Sequence, residues 1–214
     1  MNIRHHPSDE TLAAFASGTL DEGRSLVVAS HLSLCGTCRG AMRTFEHVVG
    51  AHLEGLEPAA VRADALERTL AQIELREVNL PAVQPSRNPI ASDLPAPLSQ
   101  YVVGPWRWVG RGVHWRPVDV PCEQGSRVFM LKAAPGIRLP HHRHTGTEWT
   151  CVFQGAFEHD LGRYGPGDFD EADETMEHKP AVEDGVPCVC LVALQGNIEF
   201  QGWFGRLLQP FVRI

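Results

Sequence analysis

His31-Leu32-Ser33-Leu34-Cys35-Gly36-Thr37-Cys38 is the stretch that decides how the first third of the chain can fold. His31, Cys35 and Cys38 stand at i, i+4 and i+7, so on a helix that continues or bends into a knuckle their side chains point the same way. One imidazole and two thiols on one face suit zinc, which takes nitrogen and sulfur donors in a tetrahedron. A fourth donor is still needed. His5 and His6 lie upstream, and Pro7 biases His6 toward an extended backbone from which it can reach back, so His6 is taken ahead of His5. Two thiolates and two neutral imidazoles leave a neutral Zn(II) site, which is easy to bury. A Cys-x2-Cys pair alone suits a redox couple or two core thiols equally well, and the neighbouring histidines tip the reading to metal.

The surrounding residues read as short helices. Residues 8 to 17 form a first helix, with Ser8 as cap, Asp9 and Glu10 at the positive end of the dipole, and Gly18 as the stop. Thr19-Leu20-Asp21-Glu22 reads as a capping box that opens a second helix through His31. A third, over residues 37 to 53, repeats Met42, Phe45, Val48, Val49 and Leu53 at helical spacing. A fourth is expected over residues 58 to 77, with Leu66, Leu70 and Ile73 on one side and charges on the other. It is either a further bundle helix or a helix that faces a partner. So small a bundle has a small core, and a structural zinc is a physical answer to that shortage.

Composition then sets limits. The 214 residues carry 19 basic and 26 acidic side chains, a formal charge of −7, and neither the part before residue 80 nor the part after it is basic. A nucleic-acid surface is not indicated, and a protein partner is expected instead. Six cysteines over two segments make no dense disulfide framework. No charged start with an apolar run is evident, and the longest uncharged apolar run, residues 187 to 198, is too short to span a bilayer. A cytoplasmic protein without membrane contact is expected. Pro81, Pro85, Pro89, Pro95 and Pro97 mark residues 80–98 as an extended tether between a domain over 1–79 and another over 99–214. The two could then move relative to each other.

Beyond the tether, helical periodicity gives way to short alternating runs separated by Gly and Pro, the texture of an all-β barrel. Strands are expected at 126–133, 148–154, 156–160, 168–172, 188–194 and 198–204. Within them stands a second constellation, G-x5-H-x-H-x3-E-x6-G, through Gly136, His142, His144, Glu148 and Gly155. His142 and His144 are two apart, so on a strand they share a face, and Glu148 re-enters that face after a turn. Pro166-Gly167-Asp168 supplies a further turn, and His178 is the candidate fourth ligand. Three imidazoles and a carboxylate suit zinc first, with Fe, Mn or Ni as other candidates. Cys188 and Cys190 flank one residue on a strand and read either as a redox-active pair or as small apolar fillers. His141 reads as solvent-facing, and His159 has no evident ligand partner in the sequence.

Both constellations resemble known patterns. The five positions from Gly136 to Gly155 match the first cupin motif, while the spacing from Gly167 to His178 is longer than the common form of the second. The pattern His6…His31-x3-Cys35-x2-Cys38 resembles the zinc-binding anti-sigma domain of bacteria, and its pairing with a cupin-like second half is similar to the ChrR-type anti-sigma factors. The resemblance implies an α + β chain of two domains, a small zinc-bound helical bundle followed by a cupin-like antiparallel β-barrel. It implies that the helical domain binds an extracytoplasmic-function sigma factor and keeps it from RNA polymerase, the fourth helix helping in the grip. It also implies that the barrel senses an oxidative signal, singlet oxygen or organic peroxide, and triggers release. The alternative is a cupin metalloenzyme, an Fe(II)-type dioxygenase carrying a zinc-binding interaction domain.

Overall fold

The computed structural model describes residues 2–77, 94–121 and 125–200, so most of the expected tether and residues 201–204 of the last expected strand lie outside the described residues. Helix α1 (Asp9–Ala16) starts at Ser8, whose hydroxyl accepts the Thr11 N–H at 3.2 Å. Helix α2 (Glu22–Leu34) is capped by Asp21, whose Oδ1 accepts the Arg24 N–H at 3.0 Å. The expected cap, Thr19, sits two residues too early and its hydroxyl turns back to the Ala14 carbonyl. A carboxylate directly before the first turn meets the free N–H groups and the positive end of the dipole together, so Asp21 takes the place.

Helix α3 (Gly36–Glu54) follows without a loop, because Cys35 leaves helical geometry at φ −100°, ψ 108° and caps the new helix, its Sγ accepting the Cys38 N–H at 3.4 Å. Helix α4 (Ala65–Glu77) begins at Ala65 rather than at residue 58. Asp64 stands immediately before it, paired with Arg62 at 2.9 Å, which puts the acidic start well past Pro58.

The second half is antiparallel throughout. Strands β1 (Val102–Val103), β2 (Arg107–Gly110), β3 (Val113–Asp119), β4 (Ser126–Ala133), β6 (Glu148–Gln154), β9 (Phe169–Ala172) and β12 (Cys188–Gln195) make one sheet in the order β1-β3-β4-β12-β6-β9, with β2 also on β3. Strand β5 (His142–His144) lies between β10 (Glu177–His178) and β13 (Ile198–Phe200), and β7 (Phe157–His159) lies between β8 (Gly162–Tyr164) and β11 (Ala181–Val182). These two small sheets complete a cupin-like barrel, though no ladder among the described residues closes it into one sheet. Pro117 sits within β3, yet its carbonyl accepts from Gly104 on the edge side. Its missing N–H would have faced that same side, so the ladder to β4 loses nothing.

The large sheet is buried on both faces. Phe129, Cys190, Val192 and Leu194 point into the barrel, whereas Val128, Met130, Trp149, Cys151, Leu191 and Ala193 share one apolar core with Leu12, Leu26, Val27, Val28 and Met42 of the helices. Helix α2 packs on β6, β12 and β4 and on a short 3₁₀ helix (Ala96–Gln100), with Arg24 5.4 Å over the Trp149 ring. The two halves are therefore in direct contact, one layer on the other. Helix α4 differs: of its side chains over residues 65–74 only Ala65 is even half-buried.

Candidate functional site

Four side chains converge where the amino-terminal arm crosses the α2–α3 junction. His6 Nδ1 lies 3.4 Å from Cys35 Sγ and 3.3 Å from Cys38 Sγ, and His31 Nε2 lies 3.3 Å from Cys38 Sγ. A zinc tetrahedron with ordinary Zn–S and Zn–N bonds has S···N edges of about 3.5 Å, so one ion fits among these donors. The tautomer of His31 fits too. Its Nδ1–H donates to the Gly167 carbonyl at 2.8 Å, which leaves a bare Nε2 lone pair facing the thiol. His31 is fully buried, and burial holds its pKa down at about 4, so the ring is neutral. Burial and the neighbouring Cys35 thiol push Cys38 upward, a cost that a bound cation would reverse. His5 is elsewhere, stacked on Tyr164 with centroids 4.1 Å apart.

The second group lies inside the barrel. β5 pairs with β10 so that His142 stands opposite His178, which brings the two sequence motifs together despite their long separation. His178 Nε2 is 2.9 Å from His142 Nε2 and 3.1 Å from His144 Nε2. His142 Nδ1–H donates to the Pro140 carbonyl at 2.7 Å, so its Nε2 carries a lone pair, and His178 can donate to only one of its two neighbours. Lone pairs thus face one another across a space that suits a cation. Burial depresses all three rings, His144 to about 4 and His178 to about 3. Glu148 is close without joining the tight triad: its Oε2 is 3.7 Å from His144 Nδ1, and burial raises its carboxyl to about 7.

A cavity of about 370 Å³ reaches His142 and Glu148 along an apolar wall that includes Phe129, Leu131 and Ile137. A smaller one of about 50 Å³ lies beside Glu148, Asp170, His178, Cys188 and Cys190. Both thiols are buried, and the hydrogen bond between Cys190 and Cys188 together with burial pushes the Cys190 thiol far up. Such thiols are poor nucleophiles.

His159, which sequence reasoning left without a role, belongs here. Its side chain is fully buried with Nε2 3.2 Å from Asp170 Oδ2, and its ring centroid is 5.2 Å from that of His178. Its Nδ1 accepts the Leu161 N–H at 3.3 Å, so the proton sits on Nε2 and is given to Asp170. His159 therefore backs the triad as a donor to Asp170. The signal for it was the period of two that puts His159 on the inward face with Phe157. His141, in contrast, is exposed beside Glu177 at 3.7 Å.

Residues 99–197 match the family described as the ChrR cupin-like domain. The chain is 39% identical to the anti-sigma-E factor ChrR of Cereibacter sphaeroides over 219 residues, covering 100% of both. It is also similar to the crystal structure of Rhodobacter sphaeroides SigE in complex with the anti-sigma ChrR, with a TM-score of 0.76 and 35% identity over 91% of this chain and 100% of that one.

Proposed function

Because the chain belongs to the ChrR family of anti-sigma factors, we propose that it binds an extracytoplasmic-function sigma factor in the cytoplasm and holds it away from RNA polymerase. The observation that carries this reading is an apolar face with nothing on it among the described residues. Val48, Val49 and Leu53 of α3 and Leu66, Leu70 and Ile73 of α4 are 40–73% exposed and recur at helical spacing. An amphipathic helix in that state suits a groove or helix of a partner. No helix among the described residues is long and apolar enough to cross a membrane, and the net charge of −7 disfavours duplex DNA as the target.

In this reading residues 1–79 are the gripping unit and 99–214 the sensing unit. His6, His31, Cys35 and Cys38 hold a structural zinc, which supplies folding free energy to a bundle that buries little of its own surface. His142, His144 and His178, with Glu148 alongside, hold a second divalent ion, zinc before iron, manganese or nickel. Three neutral imidazoles, one carboxylate and a divalent ion carry one net positive charge, and buried Asp170 brings the barrel to neutrality. The apolar cavity gives a small oxidant, singlet oxygen or an organic peroxide, access to that ion, and reaction there loosens the grip on the sigma factor. The same cavity favours the dioxygenase reading as a second possibility, which oxygen uptake by iron-loaded protein with a defined small substrate would support.

The test is co-expression of the full chain with the extracytoplasmic-function sigma factors of its own genome, followed by size-exclusion chromatography. A one-to-one complex with one of them is expected, dissolving on exposure to singlet oxygen or an organic hydroperoxide. Failure of every such sigma factor to co-elute overturns the reading, and a complex indifferent to both oxidants removes the sensing half of it.

A further inference from the structure

Four consecutive residues touch both donor groups. At Gly167 the carbonyl accepts from His31 Nδ1 at 2.8 Å. At Asp168, buried with 3% of its surface exposed, Oδ1 accepts the N–H groups of Arg4 at 2.6 Å and His5 at 3.0 Å, fixing the arm that carries His6. At Phe169 the N–H donates to the His5 carbonyl at 3.1 Å and the ring meets His31 edge-on at 5.6 Å. At Asp170 the carboxylate accepts the His159 Nε2–H at 3.2 Å, and one of its oxygens lies within 4.8 Å of a ring nitrogen of His178. A second connection runs through rings. His5 stacks on Tyr164 at 4.1 Å, Tyr164 on His159 at 4.8 Å, and His159 lies against His178 at 5.2 Å.

We propose that residues 167–170, with the ring stack of His5, Tyr164 and His159, couple the two metal groups, so that filling or emptying the barrel changes the zinc affinity of the His6–His31–Cys35–Cys38 group. The inference rests on the metal reading of both groups given under the proposed function. The step that starts the coupling is a tautomer. A metal on His178 Nε2 places the ring proton on Nδ1, which is buried and has no hydrogen-bond partner among the described residues. Asp170, one of whose oxygens lies within 4.8 Å of a ring nitrogen of His178, is the acceptor that β9 offers, and a carboxylate drawn in to bond that N–H moves β9 from the inside. The turn at the start of β9 holds the second nitrogen of one zinc ligand and the backbone beside another. Ligands are bound with the strength their outer partners allow, so a displaced Gly167 carbonyl and Asp168 carboxylate weaken or strengthen the zinc group. By linkage the effect is reciprocal.

The experiment uses the full chain and no sigma factor. Metal per chain is counted by elemental mass spectrometry, and cobalt(II) is then titrated into stripped protein with a chelator as competitor, following thiolate-to-cobalt absorption, which reports the Cys35–Cys38 group alone. Wild type should hold two metals, and His142→Ala one. Cobalt affinity at the thiolate group should differ at least about fivefold between barrel-filled and barrel-empty protein, and Asp170→Asn should reduce that difference to less than about twofold. Where His142→Ala loses its circular dichroism spectrum, His144→Gln serves as the emptied barrel. Equal affinities in filled and empty protein, with two metals counted in wild type, overturn the coupling alone. A wild-type count below two overturns the metal reading beneath it and the coupling with it.

Discussion

The two donor groups of this molecule are built from different materials, and the difference matches the proposed roles of clamp and sensor. The first draws on an extended arm, the end of α2 and the cap of α3, with the donor atoms of two thiols and two imidazoles within 4.8 Å of one another. It ties the arm to the α2–α3 junction, beside the hydrogen bonds that Asp168 and Phe169 make to that arm. The second draws on neighbouring strands of a barrel that folds around its own apolar core, and a cavity of about 370 Å³ leads to it. Four protein donors with thiolate among them close a site, whereas imidazoles beside a cavity leave room for a visitor. Removing the ion from the first should therefore cost structure, and removing it from the second should cost response.

Cys38→Ala breaks that contrast most severely. It should remove one of two metals, lower the thermal midpoint by about 10 °C, and weaken sigma binding by more than about a hundredfold, as elemental analysis, calorimetry and titration will show. Leu70→Asp should leave stability within about 0.5 kcal/mol, since the side chain is 52% exposed, yet weaken the sigma complex by about 30-fold. A loss of stability instead would mean that α4 packs on its own chain. His142→Ala should empty the barrel and abolish release by oxidant, while sigma binding at saturating zinc stays within about threefold of wild type in the same titration.

The smallest effect is on pH. In metal-stripped protein His31, His144 and His178 have pKa values lowered from 6.5 to about 4, 4 and 3, so the unfolded chain binds more protons below 6.5. Stability should accordingly fall as pH drops from about 6.5 toward 4, offset in part by Glu148, whose raised carboxyl works in the opposite sense. Zinc-loaded protein should resist that fall until the ligands are protonated. Denaturant titrations at several pH values will check both.

Much of this was legible before any coordinates. Strands β4 and β6 start and end where alternation said they would, and the histidines of β5 share a face because a strand has a period of two. Strand β3 went unseen because Pro117 argues against a strand unless its missing N–H is known to face the edge, which only the pairing reveals. The docking of the helices on the barrel was signalled in part. Cys188–Gln195 reads CVCLVALQ, with no polar residue until its end, and a strand apolar on both faces must be covered on both. What covers the second face is a matter of topology, as is the meeting of His31 with Gly167, because contacts across more than a hundred residues leave no local trace.

The most direct test of the account is a calorimetric titration of the cognate sigma factor into the full chain, once with both metals in place and once after stripping the first group with a thiol-competing chelator. A one-to-one complex of submicromolar affinity is expected with zinc, and at least a hundredfold weaker binding without it, roughly 3 kcal/mol. Equal affinity in the two titrations, with the loss of zinc verified by elemental analysis, would contradict it.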